Sequence, residues 1–318
     1  MKTVLKKITP FISILFLGFA IWVLEYELRQ YDLEEVTQQL SKIPLTHITA
    51  SLLLSFLSYL ILTAYDGLGV TYVGEKLSAG RIIRAGFISY AFSHNMGLAL
   101  LTGGSIRYRL YSSWGLSGFQ VTKIVAFSAW TLWIGFCTVA GIALVFATPD
   151  LPDGLPVSFA SLKILGSFLL AKVAVYLWGS SRINKQLAFR RWTFSFPDLS
   201  LALQQIALAS IDWLMAASVL YILLPASGVS FFSFTGVFLL AQIIGLTSQV
   251  PGGLGVFESV MLVYLSNFMP GTTVLGTLLV YRIIYYILPL MAAMVMLGYQ
   301  EYLTNQKVVR ELGQKATD

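Results

Sequence analysis

At 318 residues, with 57% hydrophobic and 11% charged residues and a mean hydropathy of +0.76, the sequence lies far outside the soluble globular range, where roughly a quarter of residues are charged. No polar stretch is long enough for a soluble domain, so this composition describes a polytopic membrane protein, and the net charge of +6 reads as cytoplasmic-loop bias and anionic-lipid contact rather than a nucleic-acid surface. Cys137 is the only cysteine, and His47 and His94 are the only histidines, which excludes a disulfide framework, a cysteine metal cluster and a His-rich metal site.

Lys2, Lys6 and Lys7 precede an apolar run from Ile8 to Leu24. A signal peptide opens in this way, and Gly18-Phe19-Ala20 offers a small-x-small pattern. The run continues past it through Leu24, which favours a retained first span. The acidic stretch Glu25–Lys42 then falls outside the cytoplasm. Ile48–Ala64 makes the second span, followed by Asp66, Glu75, Lys76, Arg81 and Arg84. Ile82–Leu101 is apolar but atypical, with Ser93, His94 and Asn95 inside it. Two further apolar pairs follow, Val121–Ala147 with Phe159–Trp178 and Leu201–Leu224 with Phe231–Val250. After Pro251-Gly252-Gly253 come Val256–Phe268 and Thr273–Leu297. Crossing roughly 30 Å of hydrocarbon takes about 20 apolar residues, so Val256–Phe268 must be tilted, extended by its flanks, or broken.

Loop charges discriminate between topologies, because Lys and Arg favour the cytoplasmic side. If Ile82–Leu101 spans and the N-terminus is inside, Arg107, Arg109, Lys123, Arg182, Lys185, Arg190 and Arg191 all fall outside. If the segment dips in and returns, every basic loop lands inside and the Thr148–Ser158 loop, with Asp150 and Asp153, lands outside. The expected fold is therefore all-α, with about eight transmembrane helices and both termini cytoplasmic. Residues 1–300 form one integral membrane domain and 301–318 a short cytoplasmic tail. Re-entrant or broken segments are expected near 82–104 and 250–258; a ninth ordinary span is the alternative for the first. Irregular backbone at membrane depth must be buried in protein or face water. The breaks are assigned to Gly103 and Gly104, and to Pro251, Gly252, Gly253 and Gly255. Two interruptions of this kind hint at an internal repeat around a midplane site.

Charge within a span costs ~2.5–3.5 kcal/mol at the helix centre even on the lenient insertion scale. Lys163 and Lys172 lie near span ends and can snorkel. Asp212 and Arg282 lie well inside their apolar runs, and Glu258 closes the Pro251–Glu258 stretch. Two pairs are open, Asp212–Arg282 and Glu258–Arg282, and either serves packing or a polar path. Arg107 and Arg109 leave the first glycine pair, where guanidinium forks suit phosphate oxygens; plain cytoplasmic-loop charge is the competing reading. No G-x-S-x-G, H-E-x-x-H, G-x-G-x-x-G or P-loop pattern is present.

Tyr65-Asp66, Tyr90-Ala91-Phe92-Ser93-His94-Asn95, Thr102-Gly103-Gly104-Ser105-Ile106-Arg107-Tyr108-Arg109-Leu110-Tyr111 and Gly115-Leu116-Ser117 resemble the membrane domain of lysylphosphatidylglycerol synthases, the multiple peptide resistance factors. Pro251-Gly252-Gly253-Leu254-Gly255-Val256-Phe257-Glu258 and Tyr281-Arg282-Ile283-Ile284-Tyr285-Tyr286 are similar to its later signatures, so the likeness runs over nearly the whole chain. The resemblance implies a bacterial inner-membrane flippase-type unit for anionic or aminoacylated phospholipid. In the large members a separate cytoplasmic domain makes the lipid; this sequence ends at Asp318 without one, so no catalytic residues and no cofactor are expected. Arg107, Arg109, Arg282, Asn95 and His94 become the headgroup-binding set, and Asp212 and Glu258 the polar path. Phospholipid is the implied partner, with a separate lipid synthase or a second copy of the chain as further ones. A non-transporting subunit that presents lipid to a synthase is the alternative role.

Overall fold

The computed structural model describes residues 38, 41–96, 99–147, 159–182, 187–189, 192–194, 196–225, 228–248 and 250–315. The expected first span, Ile8–Leu24, and the Thr148–Ser158 loop lie outside these residues. The described chain is helical apart from one short antiparallel hairpin, β1 (Leu187–Phe189) and β2 (Trp192–Phe194), with Leu187 opposite Phe194. Five helices are long and apolar enough to cross a membrane: Leu45–Tyr72, Gly118–Phe146, Ala160–Arg182, Leu199–Leu223 and Gly271–Gln300. This is a multi-pass membrane protein.

Helix α1 (Leu45–Tyr72) shows how the sequence sorts itself in lipid. Ser51, Ser55, Ser58, Leu62, Tyr65, Asp66 and Gly69 recur at three- and four-residue spacing and are buried, while Leu52, Leu53, Phe56, Leu57 and Leu60 face outward. Lipid is as apolar as leucine, so small and polar residues belong at helix contacts, where backbones approach and hydroxyls bond across. Ser51 Oγ donates to Val219 O at 2.8 Å and Ser55 Oγ to Ile284 O at 3.2 Å.

Ile82–Leu101 is not one helix. Helix α2 (Ala79–Asn95) is capped at Met96, and a separate helix, α3 (Ala99–Ser113), follows. At 1.5 Å per residue each is shorter than the hydrocarbon is thick, at ~26 and ~22 Å. Gly103 lies against Ser93 and Ser89, and Arg107 against Tyr90, so the two helices run antiparallel and the chain turns back on itself. Gly103 and Gly104 do not break the backbone, contrary to the sequence expectation; both lie within α3. A Cβ at Gly103 would overlap Ser93 Oγ and come within 3.0 Å of Arg107 Nη1, so this glycine serves close approach rather than a bend. At Gly104 the nearest such contact is Val125 Cγ1 at 3.7 Å, and nothing in the packing demands a glycine.

Helix α4 (Gly118–Phe146) starts at a capping box in which Ser117 Oγ accepts from Gln120 N and Gln120 Oε1 from Ser117 N. Helix α5 (Phe159–Arg182) crosses it closely at Gly141 and Gly166, each glycine's missing Cβ lying within 3.1 Å of the other's carbonyl. Lys163 and Lys172 on α5 are exposed. Helix α6 (Leu199–Leu223) begins at Asp198, whose side chain accepts from Leu201 N at 2.7 Å. It packs mainly on α1 and α4, meeting α4 where Gly135 lies against Ala209.

Helix α7 (Phe231–Thr247) leads into a 3-10 turn at Pro251–Gly253 and the short helix α8 (Val256–Leu265). Gly252, Gly253 and Gly255 have φ of +60°, +63° and +75°, which explains three glycines in five residues. The apolar stretch Val256–Phe268 is thus a broken element; α8 spans only ~15 Å. Helix α9 (Gly271–Arg282) passes into a π-helical segment, Ile283–Ile287, and then α10 (Leu288–Lys315). Helix α10 packs on α2, where Arg84 Nη1 donates to Gln300 Oε1 at 2.7 Å.

Candidate functional site

Among the described residues, three buried clusters inside this apolar bundle contain an acidic side chain. The first joins four helices around Asp66. Arg107 Nε on α3 contacts Asp66 Oδ1 at 3.0 Å and Oδ2 at 2.8 Å, Tyr111 OH donates to Oδ2 at 2.8 Å, and Ser128 Oγ on α4 donates to Oδ1 at 3.2 Å. The guanidinium also lies 4.3 Å from the ring centre of Tyr90 on α2. Asp66 is 0% and Arg107 5% exposed, so this is no loop charge. Arg107 Nη2 is buried without a hydrogen-bond partner, a donor such a site ordinarily satisfies. Arg109 does not share the cluster: two positions apart on a helix, side chains face different ways, and Arg109 is partly exposed.

The second cluster closes the broken element. Arg282 Nε donates to Glu258 Oε1 at 2.6 Å and Nη1 to Gly252 O at 2.9 Å, while Gly255 N donates to Glu258 Oε2 at 2.8 Å. Glu258 sits in the first turn of α8, where a carboxylate is favoured by the helix dipole. Arg282 is the last residue before the π-helical segment, and its guanidinium carbon lies 5.0 Å from the ring centre of Tyr286. Of the two pairs open at the sequence level, Glu258–Arg282 forms and Asp212–Arg282 does not.

Asp212 on α6 centres the third cluster. It accepts from Ser58 Oγ at 2.7 Å and Tyr65 OH at 2.9 Å, both on α1, and Ser58 Oγ lies 3.0 Å from Tyr285 OH. His94 Nδ1 is 3.3 Å from Tyr59 OH, and the His94 ring stacks on Tyr285 with centroids 6.0 Å apart.

Asn95 ties the two interruptions together. It ends α2, its Nδ2 donates to Tyr286 O at 3.3 Å in the π-helical segment, and its buried Oδ1 has no hydrogen-bond partner among the described residues. The 3-10 turn at Pro251–Gly253 also packs against α2. The end of the α2–α3 hairpin, the broken segment before α8 and the π-helical segment therefore meet in one place. A separate surface cleft of about 380 Å³, lined by Leu68, Tyr72, Phe196, Asp198 and Gln204 among others, touches none of these clusters. Among the described residues, no three His, Cys, Asp or Glu side chains gather as metal ligands would.

Several members of these clusters escape a reading of composition and motif alone. Asp66 follows the expected second span and passes for a flanking charge, yet α1 runs on to Tyr72 and buries it. The signal was its place on the stripe of Ser51, Ser55, Ser58 and Leu62. Ser58 carries no charge and lies in no quoted motif, and Tyr65 and Tyr285, though part of the family-like motifs, show their place beside Asp212 only once helices are paired.

Similarity to known proteins settles the family. Residues 11–293 match the family described as the lysylphosphatidylglycerol synthase TM region. The chain belongs to this family. It is 38% identical over 293 residues to Uncharacterized protein slr0712 of Synechocystis, covering 92% of this chain and 91% of that one. It is 34% identical over 270 residues to Inner membrane protein YbhN of Escherichia coli, covering 84% of each. It is also 24% identical over 302 residues to a Phosphatidylglycerol lysyltransferase of Staphylococcus aureus, covering 92% of this chain but 34% of that protein. The two broken elements, each braced by an arginine–carboxylate pair, thus sit within the family's matched membrane region.

Proposed function

We propose that the chain is a bacterial inner-membrane lipid translocase that moves an anionic or aminoacylated phospholipid, such as (lysyl)phosphatidylglycerol, between leaflets. The observation that carries this reading is the meeting of the two helix interruptions at Asn95, Tyr286 and Arg282 inside a membrane bundle. Transporters place broken helices around a midplane site, where irregular backbone and buried charge serve a polar passenger instead of lipid tails. Arg107 and Arg282 supply guanidinium groups suited to a headgroup phosphate, with Asn95 and His94 beside them and Glu258 holding Arg282 in place. Arg109, half exposed on α3, would receive the headgroup before it enters. The topology that goes with this function has about eight spans and both termini cytoplasmic, which puts every basic loop on the inner side. The chemistry is transport and not catalysis, with no cofactor.

A second role deserves weight because the Staphylococcus aureus relative is named as a lysyltransferase and this chain matches only 34% of it. In that role the membrane region holds phospholipid for a separate synthase and moves nothing. Reconstitution into liposomes with labelled phosphatidylglycerol separates the two. Translocation gives faster leaflet exchange than protein-free vesicles. Exchange equal to empty vesicles for phosphatidylglycerol, its lysyl ester and phosphatidylethanolamine would rule it out, and co-purification with a synthase would then favour the presenting role.

A further inference from the structure

Three acidic side chains are buried among the described residues, and they are not alike. Asp66 and Glu258 each hold an arginine. Asp212, 3% exposed, has no salt-bridge partner among the described residues, and its oxygens meet only the hydroxyls of Ser58 and Tyr65. The titratable groups facing it are Tyr59 and Tyr65 from α1, Tyr90 from α2 and Tyr285 from the π-helical segment. Helices α4, α5, α7 and α9 also pack on α6, and among the described residues none of them forms an ion pair with Asp212. A carboxylate with no counter-ion in a low-dielectric interior is far costlier than the neutral acid.

The hydroxyls around Asp212 suit both forms of the acid. The hydrogen bond between Ser58 Oγ and Tyr285 OH, 3.0 Å long, can run in either sense. With Asp212 ionised, Tyr285 donates to Ser58 and Ser58 donates to the carboxylate. With Asp212 protonated, its O–H donates to Ser58, and Ser58 donates to Tyr285. Only hydroxyl hydrogens rotate. Asp66 differs, because the Arg107 guanidinium reaches both of its oxygens, cannot accept a hydrogen bond and favours the ionised form. Beyond Tyr285, the stacked His94 near the end of α2 is only half-buried. The hydroxyl chain from the dry carboxyl through Ser58 to Tyr285 therefore ends beside a half-buried imidazole.

We propose that Asp212 is a proton-binding site, filled and emptied by way of Ser58 and Tyr285, that couples lipid exchange to the transmembrane proton gradient. The step is an acid–base exchange: the Asp212 O–H bond breaks, its electron pair stays on the carboxylate, and the proton passes by way of Ser58 and Tyr285 to water. Uptake is the reverse. The coupling rests on the translocase reading; the proton site does not.

Infrared difference spectra of the full chain in phosphatidylglycerol–phosphatidylethanolamine vesicles, between acidic and alkaline buffer, read the site by itself. A protonated-carboxyl carbonyl band is expected in the wild type, lost in Asp212→Asn and shifted in frequency in Ser58→Ala. Ser58→Ala decides the matter if Asp212→Asn does not fold. A band indifferent to both substitutions, or a site that answers to sodium at fixed pH in place of protons, overturns the proposal. Coupling is read from labelled-lipid exchange under pH gradients of opposite sign. Wild-type rates should differ several-fold between the two, and in Asp212→Asn they should become equal, whatever their size. Wild-type exchange that ignores the gradient overturns the coupling. No exchange in either direction overturns the translocase and leaves the infrared result to stand or fall alone.

Discussion

Arg107 Nε touches both carboxylate oxygens of Asp66, at 3.0 and 2.8 Å, and so pins the returning arm of the α2–α3 hairpin to α1. Removing one partner of a buried pair leaves the other charge uncompensated, at a cost of about 3–5 kcal/mol. Asp66→Asn and Arg107→Leu should each sharply lower the amount of folded protein recovered by fluorescence-detected size exclusion. The double variant Asp66→Leu/Arg107→Leu, which buries no charge, should recover more than either single variant. It should still fail in lipid exchange, because the guanidinium proposed to meet the phosphate is gone. Normal exchange by the double variant would remove Arg107 from the transport path.

Arg282 offers a sharper separation of function from folding. Its Nε reaches Glu258 while Nη1 reaches Gly252 O, two directions that a planar fork spans and a single ammonium does not. Arg282→Lys keeps the charge that compensates Glu258, so expression should stay near wild type while exchange falls by an order of magnitude or more. Arg282→Ala, which leaves Glu258 buried with its charge unopposed, should lower abundance as well. If Arg282→Lys exchanges lipid at the wild-type rate, the arginine only fastens α8 to α9.

Much of this fold was legible because membrane burial writes simple patterns. Apolar runs long enough to span gave α1, α4, α5 and α6 nearly as they stand, and the glycines of Pro251–Gly255 announced a broken element whose φ values require them. Where loop charges suggested a segment returning to its own side, the chain forms two short antiparallel helices, α2 and α3, in place of one continuous span. The exact place of the turn was not legible. A glycine pair signals either backbone freedom or close contact, and Gly103 is used for contact, a distinction that depends on Ser93 and Ser89 across the hairpin. Pairings were legible only in part. Glu258 and Arg282 stood out as charges inside apolar runs, whereas Asp66 was hidden by a helix longer than its apolar run.

The glycines of the broken element differ in what they spare. Gly255 has φ +75° and ψ −35° but open space where a Cβ would go, so Gly255→Ala carries a backbone penalty of about 1–3 kcal/mol and no clash. At Gly253 the same penalty is joined by a Cβ 3.3 Å from Gly245 Cα on α7, a backbone atom that cannot swing aside. Gly253→Ala should therefore lower the thermal midpoint in detergent more than Gly255→Ala does. Equal midpoints would mean that the approach of α7 to the turn is looser than 3.3 Å implies.

Gly103 and Gly104 are neighbours with opposite expected tolerance. An alanine Cβ at 103 would overlap Ser93 Oγ and press on Arg107 Nη1 at 3.0 Å, while Ser89 O at 3.2 Å blocks retreat on the other side. Overpacking of this kind costs typically ~1–3 kcal/mol, and here it would also push the guanidinium off Asp66. At 104 the added methyl meets only Val125 Cγ1 at 3.7 Å, and in a helix interior alanine is favoured over glycine by about 1 kcal/mol. Gly103→Ala should thus destabilise the protein and slow exchange, whereas Gly104→Ala should be neutral or mildly stabilising with exchange intact. Thermal unfolding and liposome exchange on the two variants side by side check this. The reverse order would restore Gly104 as the residue on which the hairpin depends and would undo the close-contact account of Gly103.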